Sequence, residues 1–310
     1  MTSQPFEHEP VMVEEVVDLF AAVPAGTVVD ATTGGAGHAR AILDAHPHVR
    51  ITGLDQDPVA VAAARERLAP YGERAEVIHA RFDRIAEVVA GPVSGVLFDL
   101  GVSSVQLDVA ERGFSHRFDA PLDMRMDTTS GRTAADIVNG YDEARLARML
   151  REHGDERFAT RIAKAIVANR PIDTTGRLVE VIRDAIPAPA RRKGGHPATR
   201  SFQAVRIEVN DELDVLPVAL DAALALLAPG GRCAVLAYHS GEDRIVKSVL
   251  RDASTGGCTC PPSLPCACGA TPTVRLLKRG AWKPTADEIA RNPRAESARL
   301  RAVEKLEVAA

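Results

Sequence analysis

Gly26-Thr-Val-Val-Asp30-Ala-Thr-Thr-Gly34-Gly35-Ala36-Gly37-His38 is the stretch on which the reading of the whole chain turns. A short β-branched run closes on an acid, three glycines follow within four positions, and a helical pattern sets in near Ala39. That is how a strand feeds a tight turn into a helix N-terminus. Glycine lifts the steric ban on positive φ and lets a ligand approach the main chain, while the first N–H groups of the helix face it. Such a turn suits a nucleotide-like ligand. On these residues alone a bare structural turn stays open, because the third glycine of G-x-G-x-x-G is missing and Arg40 stands in its place.

Moving outward, Arg50-Ile-Thr-Gly-Leu-Asp55 is a second strand, and its terminal acid lies 21 residues after Gly34. This is near the ~20-residue spacing at which an acid meets a ribose diol. Asp55 is therefore the expected sugar ligand, with helix capping ahead of Asp57-Pro58 as the other reading. Ala75 to His79 forms a third strand, and Phe82 follows it where an adenine could stack or a core ring could sit. Val93 to Leu100 is a continuous apolar run, as expected of a central parallel strand buried on both faces. It empties into the polar loop Gly101-Val-Ser-Ser-Val-Gln106-Leu-Asp108. In open α/β sheets such loops border the ligand crevice at the strands' carboxyl ends.

The alternation then stops. Between about Ala110 and Ala204 the patterns are helical: Ala134 to Val138, Asp142 to His153, Phe158 to Asn169 and Leu178 to Ile186. Arg132-Thr133 and Thr174-Thr175 supply caps, and Pro171 and Pro187 supply stops. A helix from Asp211 to Leu227, a break at Pro229-Gly230-Gly231 and a strand from Arg232 to Tyr238 resume the first pattern. A helix at Ile245 to Leu250 and strands at Val274 to Leu277 and Ser297 to Val303 complete it. The expected fold class is α/β: a doubly wound sheet carried by residues 1–109 and 205–310, interrupted by an all-helical module at 110–204.

The composition excludes several classes. No apolar run reaches the ~20 residues of a membrane helix, and the N-terminus lacks the basic start and apolar core of a signal peptide. A cytoplasmic protein is expected. The net charge of −4 does not announce a nucleic-acid binder, yet Ala110 to Arg206 carries 18 Lys and Arg against 13 Asp and Glu. The middle third is thus the basic part. Of five cysteines, Cys258, Cys260, Cys266 and Cys268 crowd into the loop 258–268, a pattern better suited to a metal or a redox-sensitive loop than to a disulfide framework. Cys233 sits in a strand and reads as core packing.

Longer motifs carry a family resemblance. They are Asp30-Ala-Thr-Thr-Gly-Gly-Ala-Gly-His38, Asp99-Leu-Gly-Val-Ser-Ser104 with Gln106-Leu-Asp108, Glu111-Arg-Gly-Phe-Ser115 and Pro121-Leu-Asp-Met-Arg-Met-Asp127. His196-Pro-Ala-Thr-Arg200, Phe202-Gln-Ala-Val-Arg206 and His239-Ser-Gly-Glu-Asp-Arg-Ile-Val-Lys247 follow in order. The chain resembles the bacterial small-subunit (16S) ribosomal RNA (cytosine-N4) methyltransferases from about Glu7 to Val303. The resemblance implies a Rossmann-like class I methyltransferase sheet with a helical substrate-recognition insert. It also implies S-adenosylmethionine as methyl donor and the N4 amine of one cytosine of 16S rRNA, cytosine 1402 of the decoding centre, as acceptor.

By residue match, the cofactor would lie against Gly35, Ala36, Gly37 and His38, with Asp55 on the ribose, Phe82 by the adenine, and Asp99 and Gln106 near the methionine end. Two departures stand out. Ala36 replaces a usual glycine, which is tolerable only at negative φ. Tyr238 and Gly241 stand where the family usually has Phe and Leu. At the end of the fourth strand, Asp99-Leu100-Gly101-Val102 also lacks the Pro-Pro-aromatic run of many amino-methyltransferases.

Asp99 is the expected catalytic residue, positioning donor or target while loop backbone carbonyls share the acceptor role, with Ser103, Ser104 and His239 as further candidates that structural roles would equally explain. Phosphate contacts are expected from Arg191, Arg192, Lys193, Arg200, Arg206 and Arg244. For the first three a solvated loop is the competing reading. The small ribosomal subunit is the expected partner, with no membrane, and a homodimer stays open. Cys258, Cys260, Cys266 and Cys268 could hold a structural zinc, although their one-residue gaps are tighter than usual and an unliganded loop competes. A nicotinamide dehydrogenase is disfavoured by the absent third glycine. A non-catalytic RNA-binding or ribosome-assembly factor with a vestigial pocket is opposed by the retained turn, Asp55 and Asp99.

Overall fold

The computed structural model describes residues 10–191, 195–261 and 267–307, in two compact units. One unit joins the chain up to Gly101 with the chain from Leu213 onward; the other is Val102–Glu212.

The first unit is built on seven strands: β1 (Gly26–Asp30), β2 (Val49–Asp55), β3 (Ala75–His79), β4 (Val93–Asp99), β5 (Leu227–Ala237), β6 (Val274–Leu276) and β7 (Arg299–Lys305). They form one sheet in the order β3-β2-β1-β4-β5-β7-β6. The first five in sequence run parallel, and β7 runs antiparallel to both of its neighbours. Helices are numbered along the chain: α1 (Val13–Phe20), α2 (Gly37–Ala45), α3 (Pro58–Leu68) and α4 (Ile85–Val88) precede the second unit. After it come α12 (Glu212–Leu226), α13 (Ser240–Thr255) and α14 (Ala286–Arg291).

Alternate strand residues serve two cores. Val28, Ile51, Leu97 and Ala234 pack with Phe20, Ile42 and Leu68, while Val29, Leu54, Phe98 and Val235 pack with Ile85, Leu220 and Leu250. Because helices cover both faces, Val93 to Phe98 are all buried, as the continuous apolar run requires. The doubly wound α/β sheet is therefore present, and Asp30, Asp55 and Asp99 each end a parallel strand of it.

The break expected at Pro229-Gly230-Gly231 lies inside β5. Pairing with β4 jumps from Val93–Leu227 to Gly95–Arg232, so the strand starts five residues early and carries the Pro-Gly-Gly as an irregularity. Gly230 sits at φ 76, and a Cβ on Gly231 would lie 2.8 Å from the Ala228 carbonyl oxygen. Only glycines fit that path.

The second unit contains α5 (Ser104–Asp108), α6 (Ala134–Gly140), α7 (Glu143–Gly154), α8 (Ala159–Ala168), α9 (Thr175–Ala185), α10 (Ala188–Arg191) and α11 (Thr199–Asn210). Thr133, Asp142 and Thr174 cap α6, α7 and α9 through their side chains. Ile137, Leu146, Ile162, Leu178 and Val205 belong to one separate core. The unit is wider than the expected 110–204, and a boundary at 204 falls inside α11. That helix gives little warning in the sequence, since Ala198 at its N-cap offers no capping side chain.

Candidate active site

The glycine turn is closed by hydrogen bonds to its neighbours. Thr33 N–H donates to the Leu54 carbonyl at 2.9 Å, Ala36 N–H donates to the Thr33 carbonyl at 2.7 Å, and Gly34 N–H donates to Asp55 Oδ2 at 2.8 Å. Gly34 and Ala36 both adopt left-handed backbone angles, with φ 50 and 60. The expectation of a negative φ at Ala36 is therefore corrected. An L-residue in this region costs about 1–2 kcal/mol. The Ala36 methyl is fully buried among the first core's apolar residues, which returns about 0.8 kcal/mol. Gly37 is glycine for packing: a Cβ there would lie 2.5 Å from Pro10 Cγ.

Asp55 at the end of β2 accepts a second main-chain N–H, from Asp57, on Oδ1 at 2.8 Å. The cap of α3 is Asp57, whose Oδ1 accepts from Val59 N–H at 3.0 Å. Capping is thus the task of Asp57 and leaves each Asp55 oxygen a further lone pair. Burial pushes the Asp55 pKa up to about 6, against the lowering effect of its two amide donors.

Asp30, Asp99 and His38 form the centre of the site. Asp30 is 1% exposed, and burial raises its pKa to about 7 even with His38 alongside; Asp99 adds to the rise. The Nε2 of His38 lies 2.9 Å from the Val11 carbonyl, which can only accept, so Nε2 carries a proton. Its Nδ1 lies 3.4 Å from Asp99 Oδ2. Burial pulls the His38 pKa down, but the hydrogen bond to Asp99 and the charges of Asp99 and Asp30 outweigh it, and the net shift is upward. Asp99 Oδ1 accepts from the Tyr238 hydroxyl at 2.6 Å, and Asp99 N–H donates to Thr32 Oγ1 at 2.6 Å. The carboxylate is held from both sides and still 24% exposed.

The sequence reading placed neither Asp30 nor Tyr238 among the site residues. The signals were present: three adjacent strands end on aspartate, and Tyr238 stands where the resembling family carries phenylalanine.

The other candidates fall in different surroundings. Phe82 is half-buried and meets Phe98 edge-on at 5.8 Å, on the margin of the second core. His239 is the N-cap of α13: its Nδ1 lies 3.2 Å from Gly241 N–H and 3.5 Å from Glu242 N–H. Its buried Nε2 is 3.1 Å from Glu242 Oε1 without forming a hydrogen bond. Glu242 Oε2 in turn accepts from the amides of Tyr238 and His239, which fixes the backbone carrying Tyr238. Ser103 and Gln106 belong to the second unit, where Gln106 is buried and accepts from Ser103 N–H at 3.0 Å.

Among the cations, Arg244 is exposed on α13, and Arg200 is exposed on α11 and donates to the Asp155 carbonyl at 3.1 Å. Arg191 donates to the Ile186 carbonyl at 2.7 Å. Arg206 is occupied by a two-pronged ion pair with Glu212, at 2.8 and 3.0 Å. Arg192, Lys193 and Cys266 lie outside the described residues. Among described helices none is long and apolar enough to cross a membrane.

The site is an acid-rich strand edge with one histidine, partly dehydrated. Among the described residues no lysine or arginine pairs with Asp30, Asp55 or Asp99, so the edge favours a cationic ligand. The chain matches the MraW methylase family over residues 5–306. It is 55% identical to Ribosomal RNA small subunit methyltransferase H of Thermobifida fusca, covering 96% of this chain and 93% of that protein. The protein of the same name from Symbiobacterium thermophilum is 51% identical, over 97% and 98% of the two chains. Among solved structures, an rRNA methylase from Streptococcus thermophilus aligns at 12% identity over 99% of each chain, with a TM-score of 0.44. With the match running through nearly every described residue, the chain belongs to the MraW methylase family.

Proposed function

We propose that the chain transfers a methyl group from S-adenosylmethionine to the N4 amine of a cytosine in small-subunit rRNA, cytosine 1402 on the resemblance of its motifs. The observation that carries this reading is the row of acids Asp30, Asp55 and Asp99 ending three parallel strands beside the glycine turn. S-adenosylmethionine supplies an electrophilic methyl on a sulfonium and, with its ammonium, the positive charge that this acidic edge lacks.

The chain's own residues then divide the work. Gly35, Ala36, Gly37 and His38 border the cofactor, Asp55 takes the ribose hydroxyls on its free lone pairs, and Phe82 flanks the base. Gln106 sits with the methionine end. The target amine's lone pair is delocalised into the pyrimidine, so an acceptor on one N–H must draw it toward the methyl carbon. Asp99 is that acceptor, aligned by Tyr238 and His38. It also takes the proton that the amine sheds as the new N–C bond forms at the expense of the donor's S–C bond, whose electron pair stays on sulfur as a neutral thioether, and His38 balances the charge. Ser103 is a second acceptor in the following loop. His239 acts through the backbone that it caps, because its Nδ1 is already engaged.

The cytosine must leave any stacked arrangement, at a cost of a few kcal/mol that falls when it is already single-stranded. Arg191, Arg200 and Arg244 contact phosphate, and Arg206 joins them only by giving up Glu212. Arg192 and Lys193 extend the same basic stretch in sequence. Glu substitutions at Arg200 and Arg244 should weaken RNA binding and flatten its salt dependence by about one counterion for each phosphate left without its arginine. Incubation with methyl-labelled S-adenosylmethionine and small-subunit particles lacking the modification should place the label in N4-methylcytosine on nuclease digestion. Label absent from the RNA, or carried by another nucleoside, overturns the reading. An Asp99→Ala enzyme with an undiminished rate removes Asp99 from the mechanism.

A further inference from the structure

The loop between α13 and β6 takes no part in the chemistry above, yet it brings three thiols together. The sulfurs of Cys258, Cys260 and Cys268 all lie within 4.8 Å of one another, and Cys258 Sγ and Cys268 Sγ are 3.6 Å apart. A disulfide would require about 2.05 Å. Two thiolates on one tetrahedral zinc, at about 2.3 Å from the metal, stand about 3.8 Å apart. The Cys258–Cys268 spacing is too long for the first arrangement and close to the second.

The main chain builds this cluster. Gly256 closes α13 at φ 63, Gly257 N–H returns to the Asp252 carbonyl at 2.9 Å, and Cys258 N–H lies 3.3 Å from the Thr255 carbonyl. A Cβ on Gly256 would lie 2.5 Å from the Thr271 main chain, so the two limbs of the loop meet backbone to backbone. Thr273 N–H then donates to the Ala253 carbonyl at 3.0 Å and locks the returning limb. Gly269 turns at φ 71 directly after Cys268. With the limbs anchored below, the one-residue gap between Cys258 and Cys260 and the returning limb that carries Cys268 bring all three sulfurs together.

We propose that Cys258, Cys260 and Cys268 bind one zinc ion that pins the α13–β6 loop, as a structural centre separate from methyl transfer. Binding converts the three thiols to thiolates and releases their protons to solvent, and no oxidant or reductant is involved. Cys266 lies outside the described residues; the three described sulfurs leave one tetrahedral position for water or a further donor.

The test uses the full chain, purified under reductant and without chelator. Elemental analysis should find about one zinc per chain, falling to about a tenth or less in Cys258→Ser, Cys260→Ser and Cys268→Ser but not in Cys233→Ala. Cobalt(II) added to the chelator-stripped wild type should give a thiolate charge-transfer band and the intense visible bands of a tetrahedral ion. Amide exchange in the loop limbs flanking the cysteines should accelerate on stripping and slow again on adding zinc. Substoichiometric zinc with no cobalt–thiolate band overturns the proposal whether or not the variants fold. So does a disulfide among these cysteines in freshly isolated protein.

Discussion

Asp30 sets the electrostatics of the strand edge. An acid whose folded pKa is raised from 3.8 to about 7 keeps its proton in the folded chain over a range where the unfolded chain has lost it. Folded stability therefore falls as pH rises from about 4 to about 7 and levels off above, by at most a few kcal/mol. Asp55, raised to about 6, adds a shorter fall in the same direction. In ligand-free protein, Asp30→Asn should gain stability over wild type, and the gain should be larger at pH 8 than at pH 5 by urea denaturation. An equal gain at both values would refute this account of the buried acid. A cationic cofactor prefers the ionised carboxylate, so its affinity should rise from pH 5.5 to 7.5 with proton release in calorimetry. Asp30→Asn should flatten that slope.

At Ala36, relief of the left-handed strain and removal of a buried methyl nearly cancel. Ala36→Gly should lie within about 1 kcal/mol of wild type by thermal denaturation, whereas β-branched Ala36→Val should cost more than about 2 kcal/mol. Tyr238→Phe keeps the ring and removes only the hydroxyl on Asp99. A charge-assisted hydrogen bond of about 1.5–3 kcal/mol predicts a turnover at least tenfold lower together with a melting temperature lowered by a few degrees, and unaltered turnover would count against Tyr238 as a positioning residue.

At the scale of elements, side-chain networks join what the sequence shows separately. In the second unit Glu208 on α11 accepts from the Tyr141 hydroxyl at 2.6 Å and lies 3.1 Å from His153 Nε2 on α7. The hydrogen bond with His153 is the main reason its pKa falls to about 2, from an ordinary 4.5. A depressed acid contributes stability above its unfolded pKa, and this contribution is lost as pH falls from about 4.5 to about 2. Glu208→Gln should therefore destabilise the protein by about 2 kcal/mol at pH 7 and by less than half as much at pH 3, in denaturant melts at each pH. The caps Thr133 and Thr174 were legible because a cap is a contact within three residues. Helix α11 and the bulge in β5 were not. The first lacks a capping side chain, and the second depends on which β4 residue lies opposite.

For the whole molecule, the basic and helical middle of the chain is a unit with its own core, whose described residues all fall within 102–212. An isolated 102–212 fragment should thus fold cooperatively, with a helical circular dichroism spectrum and dispersed methyl resonances; a fragment melting without cooperativity would contradict this.

The sequence by itself determined the parallel strand-and-helix alternation, the single helical interruption, and the aspartates at three strand ends. These follow from local periodicity, turn chemistry and capping. Only the tertiary structure decided what those aspartates face. The proton on Asp30 is set by complete burial, and Asp99 is held by a tyrosine 139 positions away. Solvent exclusion and long-range contact are properties of packing, which residue spacing along the chain does not encode.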